Sequence, residues 1–272
     1  MKKISLLLIL CFSLFSCEDV IDVPLNTANP KLVIDASIKW QKGTTGNLQT
    51  IKLTTTTGFY SETIPTVNNA TVYVTNSANE QFDFINTSNN GEYVCTNFIP
   101  VINGNYTLTV VYNDDTFSAT EKLFATPTIE FIEQKSAQGF GGTEEIQVKF
   151  FYPDNGQEIN YYLTGFKYQN VFFPEYDALN DEFFQGNQMF GFYSNPDLKA
   201  GESLNMSLQS ISLPYFNYMS KLINISGSNA GSPFATPPAT VKGNIINTSN
   251  FGNFALGYFN LSEIDTRNYV IE

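Results

Sequence analysis

The side chains with the highest intrinsic reactivity in this chain are three cysteines, Cys11, Cys17 and Cys95. Cys95 lies in a strand-like run, Glu92 to Thr96, and is interpreted as a small buried apolar residue rather than a nucleophile. A nucleophilic thiol or hydroxyl needs a general base, and the 272 residues include no histidine. The composition therefore excludes Ser-His-Asp and Cys-His catalysis and removes the commonest zinc ligand.

The carboxylates are the other groups that could do chemistry. Asp177, Asp181 and Glu182 stand among aromatic residues, where carboxylates could bind calcium or contact a sugar. Their spacing does not match the alternating acids of a calcium loop, so a solvated loop is favoured. A glycosidase needs two positioned carboxylates, and no pair stands out. We expect a protein that is not an enzyme and has no metal site.

Cys17 is the residue for which the sequence predicts a definite modification. It follows a basic start, Met1 to Lys3, then an apolar run, Ile4 to Phe15, and Ser16. This order is typical of a secretory signal, and a cysteine at the cleavage point resembles a bacterial lipoprotein signal. About a dozen apolar residues are too few to span a bilayer, which takes about 20. An ordinary secretory signal with a chance cysteine is the alternative.

The predicted consequence is a lipid-anchored chain. Residues 1–16 would be removed as the signal peptide, and Cys17 would carry a diacylglycerol and a fatty acid such as palmitate. No other cofactor is predicted. The net charge is −12, and Arg267 is the single arginine. The absence of any basic cluster argues against nucleic-acid binding.

Short strands dominate the first half of the chain. Residues 17–30 contain two prolines and are predicted to be a tether. From residue 31 to residue 126, strand patterns recur every 8–12 residues, separated by turns such as Asn89-Asn90-Gly91. This spacing predicts an N-terminal immunoglobulin-like β-sandwich.

Pro127 marks a predicted boundary to a second β-rich domain, residues 127–272. One short helix is predicted at 212–225, with Ser212 as its N-cap and Pro214 in its first turn. Residues 226–240 are a polar, proline-rich loop. The predicted fold class is therefore mainly β, with a sandwich followed by a second β-rich domain that contains one short helix.

An aromatic insertion, residues 172–201, is predicted to be either an irregular excursion or a hairpin pair. Its rings fill the core in one interpretation and form a contact surface in the other, since interfaces favour aromatic residues. The candidates for partner binding are Phe172, Phe173, Tyr176, Phe183, Phe184, Phe190, Phe192 and Tyr193.

Several short segments, taken in their order, resemble the domain-of-unknown-function 4249 family of Bacteroidota outer-membrane lipoproteins. The resemblance covers nearly all of the chain after Cys17 and is carried by these segments: Cys17-Glu18-Asp19, Leu32 to Ala36, Asn69 to Val74, Gly91-Glu92-Tyr93, Tyr106-Thr107-Leu108, Asn180 to Gly186, Ser212 to Ile223, Pro237 to Ile245 and Gly252 to Phe259.

The resemblance implies a location and a kind of partner, but no catalytic residues. Acidic residues after the lipidated cysteine, here Glu18 and Asp19, resemble a signal for export to the cell surface. Members of the family are commonly encoded beside TonB-dependent receptors. We expect an outer-membrane lipoprotein that faces the cell exterior and is a non-catalytic accessory subunit of a TonB-dependent transporter or another outer-membrane complex, aiding substrate capture or gating. A stand-alone adhesin or glycan-binding lipoprotein is the alternative.

Overall fold

The computed structural model describes residues 29–58, 61–138, 142, 144–169, 171–226 and 240–272. Cys17, Glu18 and Asp19 lie outside the described residues, as do residues 227–239 of the predicted proline-rich loop.

The described residues form fifteen strands and one helix. The first seven strands are β1 (Leu32–Gln41), β2 (Gln49–Thr55), β3 (Thr71–Asn76), β4 (Gln81–Phe84), β5 (Glu92–Cys95), β6 (Asn105–Tyr112) and β7 (Asp115–Phe124). The next six are β8 (Phe131–Gln138), β9 (Glu144–Pro153), β10 (Tyr161–Tyr168), β11 (Glu175–Asn180), β12 (Gln188–Ser194) and β13 (Ser203–Ile211). The chain ends with α1 (Leu213–Ser226), β14 (Ile246–Asn247) and β15 (Leu256–Val270).

The first seven strands form a sandwich of three strands on four. β1, β2 and β5 pair antiparallel on one side, and β4, β3, β6 and β7 on the other. Side chains alternate between core and surface, so β1 buries Leu32, Ile34, Ala36 and Ile38. Tyr106, at the start of β6, donates a hydrogen bond to the Ile99 carbonyl at 2.7 Å, forming the tyrosine corner of this fold. The predicted immunoglobulin-like fold class is confirmed.

The second half repeats the same arrangement. β8, β9 and β12 form a three-stranded sheet, and β11, β10, β13 and the C-terminal half of β15 form the opposing four. The aromatic insertion is therefore not irregular, because it contains two strands, β11 and β12, that belong to different sheets. The core of this sandwich contains Val148, Phe150, Tyr152, Tyr162, Phe166, Tyr193, Leu204, Met206 and Leu208.

β15 belongs to both sandwiches. Its first part pairs parallel with β1, from Val33↔Leu256 to Gln41↔Ile264, and touches β7 at Leu261↔Leu123. Its last part pairs antiparallel with β13. The structure thus differs from the predicted division at residue 127, since Ile245, Ala255, Phe259 and Leu261 lie in the first core. β15 is a single strand of 15 residues that serves both sandwiches.

Polar residues in the middle of β15 hold the connection between the sandwiches. The Glu263 carboxylate accepts a hydrogen bond from the Thr126 N–H at 3.1 Å and pairs with Lys42 Nζ at 3.1 Å. Asp265, which is buried, accepts from the Ile129 N–H at 2.7 Å. The segment between β7 and β8 is therefore bonded to β15 on both sides of Pro127.

The helix forms where the sequence predicts it. The Ser212 hydroxyl accepts a hydrogen bond from the Tyr215 N–H at 3.2 Å, and the Ser212 carbonyl accepts from the Phe216 N–H at 2.8 Å, so Ser212 is the N-cap. Tyr215 packs against Tyr258 of β15, with 4.7 Å between the ring centroids. The helix thus covers the outer face of the four-stranded sheet beside the junction.

Gly257 allows β15 to lie against β1. Its φ is +98°, and a Cβ atom there would overlap the carbonyl oxygen of Ile34. A Cβ atom at Gly243 would in turn overlap the Gly257 carbonyl oxygen. Two backbone segments therefore approach β15 at a distance that only glycine permits.

We expect Gly257→Ala to destabilise the protein by about 3 kcal/mol or more, because a positive φ costs roughly 1–2 kcal/mol and the steric overlap adds to it. Gly43→Ala is the matched control, since Gly43 has a φ of +82° but open space around its Cβ position. The measurement is urea unfolding of both variants. Equal losses of stability would show that the close approach of β15 to β1 is not needed.

A second expectation concerns Glu121, which is partly buried and accepts hydrogen bonds from Tyr258 Oη and Asn244 Nδ2, both at 3.1 Å. Burial raises the pKa of this carboxyl, and the two hydrogen bonds offset only part of that rise. Because the pKa of Glu121 is higher in the folded state, the protonated carboxyl stabilises the fold. This contribution to the free energy of unfolding is complete below the ordinary glutamate pKa and is lost as pH rises through the pKa of the folded state.

Glu121→Gln keeps both acceptor contacts and removes the charge. The variant should match the parent protein at about pH 4 and be more stable at about pH 7. Melting temperatures across that range, with the exposed Glu62→Gln as control, check this. A variant that is less stable at neutral pH would mean that the ionised carboxylate stabilises β15.

Candidate functional site

The structure separates the eight aromatic candidates into five environments. Phe172 and Phe173 are 91% and 80% exposed in the connection between β10 and β11. Phe183 and Phe184 are exposed in the connection between β11 and β12. Since β10 and β11 are antiparallel, these two connections lie at opposite ends of the second sandwich. The eight rings therefore do not form one continuous surface.

β12 divides its own aromatic residues between surface and core. Met189 and Tyr193 point inwards, and Tyr193 stacks on Phe166 with 5.2 Å between the centroids. Phe190 and Phe192 point outwards and remain 42% and 44% exposed. The prediction of Tyr193 as a partner-binding residue is therefore a mistake, because its ring lies in the second core.

Tyr176 is also unlike the exposed candidates. It is half-buried in β11 and belongs to the small cluster of rings under α1. The helix thus covers the face of Tyr176 that a partner would need to contact.

The outer face of the three-stranded sheet carries a row of phenylalanine rings. Phe131, Phe151 and Phe190 are cross-strand neighbours on β8, β9 and β12. Phe131 and Phe151 stack with their centroids 4.5 Å apart, and Phe190 lies 5.9 Å from Phe151. The ammonium of Lys149 lies 4.2 Å from the Phe190 centroid, a cation–π contact. We call Phe131, Phe151, Phe190, Phe192 and Lys149 the aromatic face.

Polar groups border the aromatic face. Glu133, Lys149 and Phe192 form the next cross-strand row, followed by Lys135, Gln147 and Ser194. A shallow depression of about 210 Å³ lies among Glu133, Gln134, Lys135, Gln147 and Lys149. The surface thus offers flat rings beside hydrogen-bonding groups of both charge signs.

Phe131 and Phe151 were not among the sequence candidates, although a signal for one of them was present. The alternation of Ile146, Val148 and Phe150 indicates one face of a strand, which puts Phe151 on the other face. Phe131 gave no comparable signal, because the rest of β8 is polar apart from Ile132 and Ala137.

A cleft of about 630 Å³ lies between the two sandwiches. The linker residues Thr126 and Pro127 form one wall, and the β9–β10 turn forms another, with Asp154, Asn160 and Tyr162. Asp154 accepts hydrogen bonds from Tyr162 Oη at 2.6 Å and from the Gly186 N–H at 2.8 Å. The β9–β10 turn that lines the cleft is therefore bonded to the loop between β11 and β12.

Asp181, which begins that loop, is fully buried. Its Oδ1 accepts from the Asn160 N–H at 2.9 Å, while burial and the neighbouring Asp154 raise the pKa of its carboxyl. The interpretation of Asp177, Asp181 and Glu182 as one solvated loop thus fails for Asp181. Asp177 lies on β11, whereas Glu182 is exposed, so the three carboxylates do not converge.

Three further observations concern chemistry and membranes. Cys95 is 1% exposed in the first core, and burial raises the pKa of its thiol, which confirms it as an apolar core residue. Within the described ranges, no group of three or more His, Cys, Asp or Glu side chains is placed so that it could bind a metal ion. Nor does this part of the chain include a helix with the length and apolarity to cross a bilayer.

Comparison with known proteins identifies the family. No curated protein matches the chain. Similar solved structures include a two-domain fibronectin type III segment of chicken tenascin, at 10% identity over 67% of this chain and 91% of that one, with a TM-score of 0.22. A cytokine receptor complex is 9% identical over 67% and 83% of the two chains, with a TM-score of 0.23. The sequence model described as domain of unknown function (DUF4249) matches residues 18–268, so the chain belongs to that family.

Proposed function

We propose that this protein is a surface-exposed outer-membrane lipoprotein that acts as a non-catalytic accessory subunit of a TonB-dependent transporter or another outer-membrane complex. It binds its partner through the aromatic face of the second sandwich and aids substrate capture or gating. The observation that carries the proposal is the set of rings at Phe131, Phe190 and Phe192, which are 42–44% exposed on a regular sheet.

The aromatic face has the properties of a protein-binding surface. Neighbouring exposed rings are costly in water unless a partner covers them. Phe131 and Phe190 are already ordered by contact with Phe151, so binding loses little side-chain entropy. Lys149 and Glu133 add charges at the border, which orient a partner more than they strengthen its binding.

The position of the tether is compatible with docking along the side of the molecule. β1 begins at the end of the first sandwich that lies away from the second, because β1 and β15 run parallel towards the junction. The predicted tether, residues 17–30, reaches at most about 50 Å when extended. A lipid-anchored protein on a tether of that length can place the side of its second sandwich against a neighbouring membrane protein.

A glycan-binding protein is the second candidate, and the same face favours it. Sugar rings stack their C–H faces on aromatic rings, while their hydroxyls need hydrogen-bonding groups such as Gln147 and Glu133. The two candidates differ in what is retained on purification: a barrel in fixed stoichiometry for the accessory subunit, and oligosaccharide alone for the glycan binder.

Phe190→Ala and Phe192→Ala should each weaken binding of the partner by about 2 kcal/mol, or roughly 30-fold, with little change in melting temperature. The assay is co-purification from detergent-solubilised membranes, with the partner quantified by mass spectrometry. Tyr193→Ala, on the same strand but in the core, should instead destabilise the fold by about 3–5 kcal/mol.

Phe172→Ala is the control, because that ring is even more exposed, at 91%, but lies at the opposite end of the second sandwich. If Phe172→Ala releases the partner and the two β12 variants do not, the interface lies at that end. If all these variants keep the partner, the aromatic surface is not the docking site.

Cys17→Ser should abolish fatty-acid labelling and remove the protein from the outer-membrane fraction, since lipid attachment requires the thiol. Cys11→Ser, inside the predicted signal peptide, should change neither result. Metabolic labelling with a palmitate analogue, followed by fractionation, measures both. A Cys17→Ser protein that still carries label would contradict the predicted anchor.

A further inference from the structure

Buried oxygen atoms without hydrogen-bond donors gather at the junction end of the second sandwich. Asp181 Oδ2 and Asn160 Oδ1 are both buried, and neither has a hydrogen-bond partner among the described residues. The hydroxyl of Tyr152, whose side chain is fully buried, also has no partner. An unsatisfied buried polar group costs roughly 1–3 kcal/mol, more if charged, so a cluster of them points to a missing ligand.

A second carboxylate lies next to this cluster. Asp154 is close enough to Asp181 for the two carboxyl groups to interact directly. No ion pair found among the described residues includes either of them. Two adjacent carboxylates in a poorly solvated site repel each other unless a proton or a cation lies between them.

We propose that Asp154, Asp181 and the side-chain carbonyl of Asn160 bind a calcium ion at the end of the second sandwich that faces the first. The available ligands are all oxygen atoms, which suits a hard cation. Calcium accepts irregular geometry and six to eight ligands, whereas magnesium demands a near-ideal octahedron. Water from the cleft completes the coordination, because Asp154 and Asn160 line that cleft.

The ligand set predicts a weak site. Two carboxylates carry less charge than the acidic loops of high-affinity calcium proteins, and no third acid among the described residues joins them. A dissociation constant of about 0.1–1 mM, the range of extracellular calcium modules, is expected.

The ion would tie two loops together. Asp154 and Asn160 come from the β9–β10 turn, while Asp181 begins the loop between β11 and β12. These loops already touch, since a Cβ atom on Gly156 would lie 2.8 Å from the Gly186 Cα. Calcium thus replaces the repulsion between the Asp154 and Asp181 carboxylates with attraction of both to the ion. This effect does not depend on a partner at the aromatic face.

The test uses the full mature protein in detergent and terbium as a luminescent substitute for calcium. Tyr152 and Tyr162 lie beside the site, so excitation of tyrosine should give terbium emission that calcium displaces and magnesium does not. Calcium at ten times its dissociation constant should raise the melting temperature by roughly 3–5 °C. Asp181→Asn should abolish both effects.

Two further variants keep the result interpretable if Asp181→Asn folds poorly. Asn160→Asp adds a charged ligand and should tighten terbium binding about tenfold. Asp114→Asn, in the hairpin turn between β6 and β7, should behave like the parent protein. The proposal is overturned if calcium up to about 10 mM leaves the melting temperature unchanged. It is equally overturned if Asp181→Asn retains the terbium signal, or if acidification alone stabilises the pair, which would show a shared proton.

Discussion

The structure depends on one strand, β15, which pairs with strands of both sandwiches. β15 supplies Phe259 and Leu261 to the first core and pairs with β13 to complete the second sandwich. Fifteen residues of extended chain span about 50 Å, so this strand runs the length of the molecule. Most tandem domains are joined by a flexible linker. Here the linker itself is hydrogen-bonded to Glu263 and Asp265 of β15, which leaves little freedom for bending at the junction.

Local patterns were sufficient to predict the elements whose surroundings are simple. The strand patterns that recur from residue 31 predicted β1, and Ser212 with Pro214 predicted the helix to within one residue. These patterns could be interpreted because each polar side chain in them either faces solvent or caps the helix. The same local reasoning therefore recovered most of the first sandwich and the fold class.

The strands that the sequence did not predict break this rule, because they have apolar residues facing outwards or polar residues facing inwards. In β12 the outward residues Phe190 and Phe192 are as apolar as the inward ones, so period-two alternation is hidden. In β15 the inward Asp265 is polar because it bonds to the linker, so the strand reads as interrupted. The pairing of Asp154 with Asp181 depends on two loops that meet only in the folded chain. No local pattern contains that information.

The two candidate sites lie at the same end of the second sandwich. The row from Phe131 to Phe190 crosses the sheet where β8 and β12 begin and β9 ends. The loop that starts at Asp181 leads directly into β12, so its position determines where that strand enters the sheet. The loop that starts at Asp181 therefore connects the two candidate sites beside the junction.

The pairing of β1 with β15 also sets the order of events during folding. Partners such as Val33 and Leu256 are more than 220 residues apart, so the contact forms late and closes a very long loop. Until the last strand is synthesised, β1 and β7 keep open edges that other strands could join. A chain that ends early lacks a strand in both cores at once. The presence of β15 is thus a condition for closing either sandwich, and a chain without it exposes two unpaired sheet edges at once.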